Sequence, residues 1–163
     1  MIEVQAATER LIPSFYEALG RVASERVYLE MLEPPSLETV TAFQMGLIEQ
    51  RGPIVYAVTD EDRVVGWCDV FPLENPRQAH RGSLGMGILP EYRGDGLGSR
   101  LLEAALKKSK TFGLEKVELC VYTTNHPAIS MYEKFRFKSE GIVKRYRKLD
   151  GIYYDALNMG LFL

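Results

Sequence analysis

Apolar residues recur along the chain with two periods, and each period predicts a different secondary structure. Spacings of three and four residues begin at Thr8 and again at Ser36, which predicts two helices in the N-terminal third. Two runs rich in β-branched and aromatic residues follow at residues 54–59 and 63–73. A short acidic segment separates these runs, so we expect a β-hairpin here.

The second half of the chain alternates strands and helices. A strand over residues 79–89 leads into a strongly periodic helix at residues 96–112, with leucines and alanines on one stripe. A strand at residues 116–122 and a short helix that starts near Pro127 come next. The turn dipeptide Asp150-Gly151 then predicts a closing hairpin.

With a short strand at residues 2–6, the order of elements is β-α-α-β-β-β-α-β-α-β-β. This order predicts a mixed α/β (α+β) fold, in which a central, mostly antiparallel sheet of about seven strands carries four helices on both faces. The chain has 163 residues and contains no repeat or long linker, which indicates a single domain over residues 1–163.

Composition argues against several classes of function. A formal net charge of −2 disfavours general nucleic-acid binding, which needs a basic surface. No signal peptide opens the chain and no apolar run approaches the ~20 residues that cross a bilayer, so we expect a cytoplasmic protein without a membrane partner. His80 and His126 lack ligand-like partners, and no metal site is expected. Cys68 and Cys120 lie in apolar runs and are interpreted as small core residues in a reducing compartment.

Residues 84–99 combine the end of a strand, a glycine-rich loop and the start of a helix. The first N–H groups of a helix lack internal partners and lie at the positive end of its dipole, so they suit an anion. Glycines at positions 94, 96 and 98 let backbone amides approach a phosphate, and Arg93 adds a charged donor. The Gly-Lys-Ser/Thr of a Walker loop is absent, and the third glycine of a dinucleotide fingerprint would fall on Ser99 or Leu101.

The spacing Arg93-x-x-Gly96-x-Gly98 resembles the signature of the GNAT superfamily of N-acetyltransferases, where it binds the coenzyme A pyrophosphate. Residues 125–137 are similar to the family segment Asn-x-x-Ala-x-x-x-Tyr-x-Lys-x-Gly-Phe, except that Arg136 stands where glycine is usual. The resemblance implies a GNAT-like fold, acetyl-CoA as cosubstrate, no metal, and direct attack of an amine on the thioester in a ternary complex.

The resemblance also assigns residues to the cofactor site. In the family, two strands splay apart at a bulge to admit the pantetheine arm; here they are the strand ending at Leu89, which holds Gly85 and Gly87, and residues 116–122. The expected cofactor contacts run from the strand end into the helix and include one downstream amide: Ile88, Leu89, Arg93, Gly94, Asp95, Gly96, Leu97, Gly98, Ser99 and Asn125. For Asn125, capping of the following helix is the alternative role.

Two groups are expected to act in the chemistry. The Ile88 backbone N–H is the expected donor to the developing oxyanion, and Tyr132 matches the tyrosine that protonates the departing thiolate in the family. The alternative for Tyr132 is packing on the apolar face of its helix. The general base stays unassigned: Asp69, Glu30 and Glu33 are candidates, beside a chain of water molecules.

Acceptor recognition is expected at residues 26–36 and 145–154, which mix acids, aromatics and bases. No single charge dominates, so an amino acid, another small amine and a protein N-terminus all stay open, with the pattern at residues 150–155 favouring small amines. The alternative function is a GNAT-like module that binds acyl-CoA as a sensor or scaffold without turnover. Homodimer formation through the exposed edge of the last hairpin is also left open.

Overall fold

The computed structural model describes every residue from 1 to 163. Its strands, numbered along the chain, are β1 (Ile2–Ala6), β2 (Ile54–Thr59), β3 (Val64–Pro72), β4 (Arg81–Ile88), β5 (Lys116–Tyr122), β6 (Lys138–Leu149) and β7 (Ile152–Phe162). They form one seven-stranded sheet in the order β1-β2-β3-β4-β5-β7-β6. Every neighbouring pair is antiparallel except β4 and β5, which are parallel. The predicted mixed, mostly antiparallel sheet is therefore confirmed.

Four helices cover the sheet: α1 (Ile12–Ser24), α2 (Leu37–Ile48), α3 (Leu97–Phe112) and α4 (His126–Lys134). The ring of Phe15 in α1 packs edge-on against Trp67 of β3, with centroids 5.3 Å apart. Leu101 of α3 contacts the adjacent residue Gly66, where an added Cβ would lie 3.1 Å from its side chain. Successive residues of a strand point to opposite faces, so α1 and α3 cover opposite faces of the sheet. No helix has the length and apolarity needed to span a membrane.

The glycines of β4 make room for side chains of the neighbouring strand. β4 pairs with β3 from Gly82 to Ile88 without a register shift. A Cβ on Gly87 would lie 2.3 Å from the ring of Trp67, and a Cβ on Gly85 would lie 3.0 Å from Oδ1 of Asp69. The predicted bulge at Gly85 and Gly87 is therefore wrong: the strand stays regular, because glycine there accommodates a cross-strand neighbour.

The C-terminal end of α4 adopts a turn that usually carries glycine. The Phe137 N–H donates to the Tyr132 carbonyl at 3.0 Å and the Arg136 N–H donates to the Glu133 carbonyl at 2.9 Å. These are the two hydrogen bonds of a Schellman motif, and the rings of Tyr132 and Phe137 supply its apolar contact at 5.6 Å. Arg136 adopts a positive φ of 71°. The turn geometry of the family segment is thus kept despite the missing glycine.

Replacing Arg136 with glycine should raise the free energy of unfolding by about 1 kcal/mol, because the left-handed conformation costs an L residue roughly that amount. Urea denaturation followed by circular dichroism would measure the change. Glu133→Gly is the matched control, since glycine inside the helix should lower the same quantity by about 1 kcal/mol. A loss of stability in Arg136→Gly would contradict this account of the turn.

Candidate functional site

β4 and β5 lie side by side at one end and separate at the other. They pair only over three positions, from Arg81 opposite Lys116 to Ser83 opposite Glu118. Both strands continue beyond this point, to Ile88 and Tyr122. An opening, named here the β4–β5 cleft, therefore lies in the middle of the sheet, where the splay was predicted.

The backbone of β4 presents polar groups to the β4–β5 cleft. The Leu89 N–H, just past the strand end, donates to the carbonyl of Val65 in β3. Hydrogen bonding alternates along an antiparallel pair, so the odd-numbered residues of β4 bond to β3. Met86 and Ile88 therefore turn their N–H and C=O groups toward β5, beyond the last paired position. Nε of Arg93 donates to the Ile88 carbonyl at 2.8 Å, which leaves the Ile88 N–H facing the cleft.

The opposite wall of the β4–β5 cleft follows the same rule. The Thr123 N–H donates to the Asp155 carbonyl, so the odd-numbered residues of β5 bond to β7 and the even-numbered residues face β4. Cys120 thus directs backbone N–H and C=O groups into the cleft. Its side chain is exposed, and the prediction of a core cysteine is wrong at this position, whereas Cys68 is buried. The alternation of β5 places Cys120 on the face opposite the buried Leu119 and Val121.

The glycine-rich loop leads into the N-terminus of α3 beside the cleft. Gly94 and Gly96 adopt positive φ angles of 90° and 78°, which residues with a Cβ rarely reach. Gly96 is the N-cap of α3, and no side chain caps the helix, so its first N–H groups keep their hydrogen-bonding capacity for an anion. A Cβ on Gly98 would lie 3.1 Å from Sδ of Met131. Gly98 therefore lets α3 approach α4 closely.

Two of the predicted cofactor contacts have other roles in the structure. Arg93 forms a bidentate ion pair with Glu25 at 2.6 and 2.8 Å and lies 4.7 Å above the ring of Tyr28. Its guanidinium is thus already paired within the chain, and a contact of this side chain with the anion stays a prediction. Leu89 packs in the core at 1% exposure, while its N–H donates to Val65 and its carbonyl accepts from Tyr92. Both backbone groups of Leu89 thus already have partners within the chain, and its contact with a cofactor stays a prediction.

The remaining predicted cofactor residues differ in which of their groups are accessible to a ligand. Asp95 and Gly94 are exposed, and Ser99 is half-buried. Leu97 is 4% exposed, so only its backbone N–H at the helix start is available. Oδ1 of Asn125 accepts from the Ala128 N–H at 3.4 Å. Asn125 thus caps α4, which is the alternative role expected for it. No group of His, Cys, Asp and Glu side chains is arranged to hold a metal ion.

Tyr132 is the buried residue of α4. Its ring packs on Phe137, so the packing alternative is realised in the structure. Burial also raises the pKa of the Tyr132 hydroxyl far above its usual value, with the nearby Cys68 acting in the same direction. The hydroxyl therefore keeps its proton at neutral pH and can act as a proton donor.

Asp69 differs from the other candidate bases by its burial. Its side chain lies on the face covered by α1 and α2, two residues from Trp67, and is 9% exposed. Burial raises the pKa of Asp69 to about 7, although hydrogen bonds from Gln44 and the Gly85 backbone act in the opposite direction. Gln44 is itself held by the Tyr56 hydroxyl at 2.7 Å. Glu30 and Glu33 are exposed by comparison.

The segment between α1 and α2, named here the α1–α2 loop (residues 25–36), contacts the β6–β7 hairpin. Arg26 pairs with Asp150 at 2.8 Å, and the Tyr146 hydroxyl bonds to Glu30. An N–H of Arg147 also donates to the Arg26 carbonyl at 3.2 Å. The structure thus brings together the two segments that were expected to select the acceptor.

Sequence reasoning did not find Glu25, Gln44 or Tyr122, and each lies in or beside this site. Glu25 meets Arg93 across 68 positions and Gln44 meets Tyr56 across 12. Such pairs have no local spacing to mark them. For Tyr122 a signal existed, since it ends the strand that forms one wall of the predicted splay.

Comparisons with known proteins place the chain among acetyltransferases. It matches the family described as "Acetyltransferase (GNAT) family" over residues 13–137. The L-amino acid N-acetyltransferase AaaT of Escherichia coli (strain K12) is 27% identical over 146 residues, 88% of this chain and 90% of that protein. An N-alpha-acetyltransferase of Sulfolobus acidocaldarius is 34% identical over 110 residues, 61% of this chain and 64% of that protein.

A solved structure shows the same fold. The GNAT superfamily phosphinothricin acetyltransferase (Pat) from Sinorhizobium meliloti, in complex with AcCoA, superposes with a TM-score of 0.90. The superposition covers 99% of this chain and 88% of that chain at 18% identity. At this level of identity the likeness concerns the fold alone.

Proposed function

The chain belongs to the acetyltransferase (GNAT) family, and on that premise we propose that it transfers the acetyl group of acetyl-CoA to a primary amine. The acceptor class comprises amino acids, other small amines and protein N-termini, and the transfer proceeds by direct attack in a ternary complex. The observation that carries the proposal is the β4–β5 cleft, which opens beside an uncapped helix N-terminus.

The residues present fit acetyl-CoA. A pyrophosphate needs several N–H donors with no Cβ in the way, and the positive φ angles of Gly94 and Gly96 expose such donors ahead of α3. A pantetheine arm is extended and carries amide groups, so it can pair with the free N–H and C=O groups of Met86 and Cys120 as a strand would. When bound, acetyl-CoA supplies the acetyl group as a thioester.

Three groups of this chain then act on the reaction. The Ile88 N–H donates to the carbonyl oxygen as negative charge develops on it. Asp69 accepts, through water, the proton that the attacking amine loses as the C–N bond forms. Tyr132 donates its proton to sulfur as the C–S bond breaks, and solvent protonates it again. A carboxyl with a pKa near 7 and a tyrosine that stays protonated suit these opposite tasks.

Release of free thiol from acetyl-CoA, measured across amino acids, small amines and short peptides, tests the proposal. We expect release that depends on an amine and a thermal shift with acetyl-CoA alone. A thermal shift without thiol release from any amine would favour the non-catalytic acyl-CoA-binding module instead. Absence of both would reject acetyl-CoA as the ligand.

A further inference from the structure

The side chain of Tyr122 is buried next to the β4–β5 cleft, where burial raises the pKa of its hydroxyl and the neighbouring Arg147 acts in the opposite direction. It is 6% exposed, and its hydroxyl is the one buried side-chain polar atom in the structure that makes no hydrogen bond. Buried polar groups are nearly always satisfied, since an unpaired one loses its hydration without compensation. The hydroxyl therefore points to a ligand that supplies the missing partner.

Arg147 lies beside this hydroxyl and lacks a counter-ion. Its guanidinium carbon is 5.2 Å from the centre of the Tyr122 ring and 5.6 Å from that of Tyr154. One N–H donates to the Arg26 carbonyl, and no carboxylate pairs with the side chain. An arginine held against two aromatic rings presents its remaining donors in a fixed fork, which matches the two oxygens of a carboxylate.

Neighbouring carboxylates of the β6–β7 hairpin and of the α1–α2 loop do not compete for this fork. Asp150 pairs with Arg26 at 2.8 Å, and Asp155 pairs with Lys144 at 3.1 Å. The Glu30 carboxylate bonds to the Tyr146 hydroxyl. Arg147 thus keeps donors for an anionic group that comes from outside the chain.

The position of Tyr122 relates this anion site to the reacting centre. β4 and β5 are parallel and Ser83 lies opposite Glu118, so four residues further along each strand Tyr122 lies at the level of Gly87. Ile88, whose N–H faces the cleft, is the next residue. Tyr122 also points to the same face of the sheet as Asp69. Residues at the same level of neighbouring strands share a face, as do residues two positions apart on one strand. Tyr122 lies level with Gly87, Gly87 is two positions from Gly85, and Gly85 pairs with Asp69.

We propose that Arg147 and the Tyr122 hydroxyl bind the carboxylate of an α-amino acid acceptor, whose amine then faces the thioester at Ile88. This inference rests on the proposed acetyl transfer and narrows its acceptor class. An α-amino acid carries its amine and its carboxylate on one carbon, so both groups fit a site in which anion donors lie beside the reacting centre. A protein N-terminus has an amide at that position and would leave Arg147 without its anion.

The test compares free L-amino acids with their amides as acceptors in the thiol-release assay at saturating acetyl-CoA. We expect the acids to show KM values about 10- to 100-fold lower than the matching amides, as the loss of hydrogen bonds to a charged group implies. Arg147→Gln should raise the KM of the acids by a similar factor and leave the KM of the amides and of acetyl-CoA unchanged. Tyr122→Phe should raise the KM of the acids about 10-fold.

Lys138→Gln is the matched control, since Lys138 is an exposed cation on the same strand but lies outside the two segments expected to select the acceptor. If amides or peptides showed the same KM as the acids with the unmodified protein, the carboxylate site would be overturned and the proposed acetyl transfer would stand. An unchanged KM for the acids in Arg147→Gln would overturn it as well. If no amine of any class released thiol, the proposed function itself would fail.

Discussion

Replacing Asp69 with asparagine is expected to lower kcat/KM about 100-fold at pH 8, the range typical for loss of a general base. In the unmodified protein the rate should rise as the pH increases through about 7, the pKa of Asp69, because only the carboxylate accepts a proton. The asparagine variant should lose this rise. The measurement is a pH profile of kcat/KM from thiol release.

The same substitution should also change stability, in a direction opposite to activity. The folded-state pKa of about 7 lies above the ordinary 3.8, so the unfolded chain releases this proton first and stability falls between pH 4 and pH 7. Above pH 7 this loss is constant. Urea denaturation would measure the free energy of unfolding at pH 5 and at pH 8. As the pH rises between these two values, the unmodified protein should lose roughly 2–3 kcal/mol relative to Asp69→Asn.

Glu33→Gln is the control for both measurements, because Glu33 is exposed and should affect neither the pH profile nor the stability. Persistence of the rise near pH 7 in Asp69→Asn would remove Asp69 as the proton acceptor. Lost activity together with lost stability at pH 8 would indicate that Asp69 has a structural role instead.

Replacing Tyr132 with phenylalanine should lower kcat about 100-fold and leave the affinity for acetyl-CoA unchanged. The phenylalanine ring can keep the contact with Phe137 at 5.6 Å, but it has no proton for the departing sulfur. Because burial raises the pKa of Tyr132 well above neutral pH, the rise of the rate near pH 7 should stay in place in this variant. Steady-state kinetics and calorimetric titration with acetyl-CoA would measure the two quantities separately.

Tyr153→Phe serves as the control, since Tyr153 is 48% exposed on β7. An unchanged kcat in Tyr132→Phe would leave only the packing role of Tyr132. A weaker affinity for acetyl-CoA in Tyr132→Phe would indicate damage to the cofactor site and would likewise contradict the proton-donor role.

Local patterns were sufficient to predict the order of elements. The final hairpin is an example: Asp150 and Gly151 adopt φ angles of 50° and 79°, the pair of positive values that an Asp-Gly turn favours. The glycine-rich loop before α3 is another, because glycines at alternate positions and the periodic helix that begins among them are visible in the sequence. Both features depend on residues close in sequence.

Contacts between distant residues account for what the sequence did not predict. The role of Arg93 depends on Glu25, and nothing in the spacing near either residue indicates that they meet. The bulge was predicted from Gly85 and Gly87 alone. The structure gives another reason for glycine at these positions, because the side chains of Asp69 and Trp67 on the next strand occupy the space that a Cβ would need. The burial that singles out Asp69 likewise arises from packing of α2 on the sheet, with Gln44 as its neighbour.

Backbone amide NMR of the 15N-labelled protein, titrated with acetyl-CoA, tests most directly whether the β4–β5 cleft holds this cosubstrate. We expect the largest shifts at Met86, Ile88 and Cys120 on the cleft walls and at residues 94–99 in the loop. Adenosine 3′-phosphate 5′-diphosphate, which lacks the pantetheine arm, should shift only the loop. Shifts confined to other surfaces, or cleft residues that respond equally to both compounds, would contradict the site described.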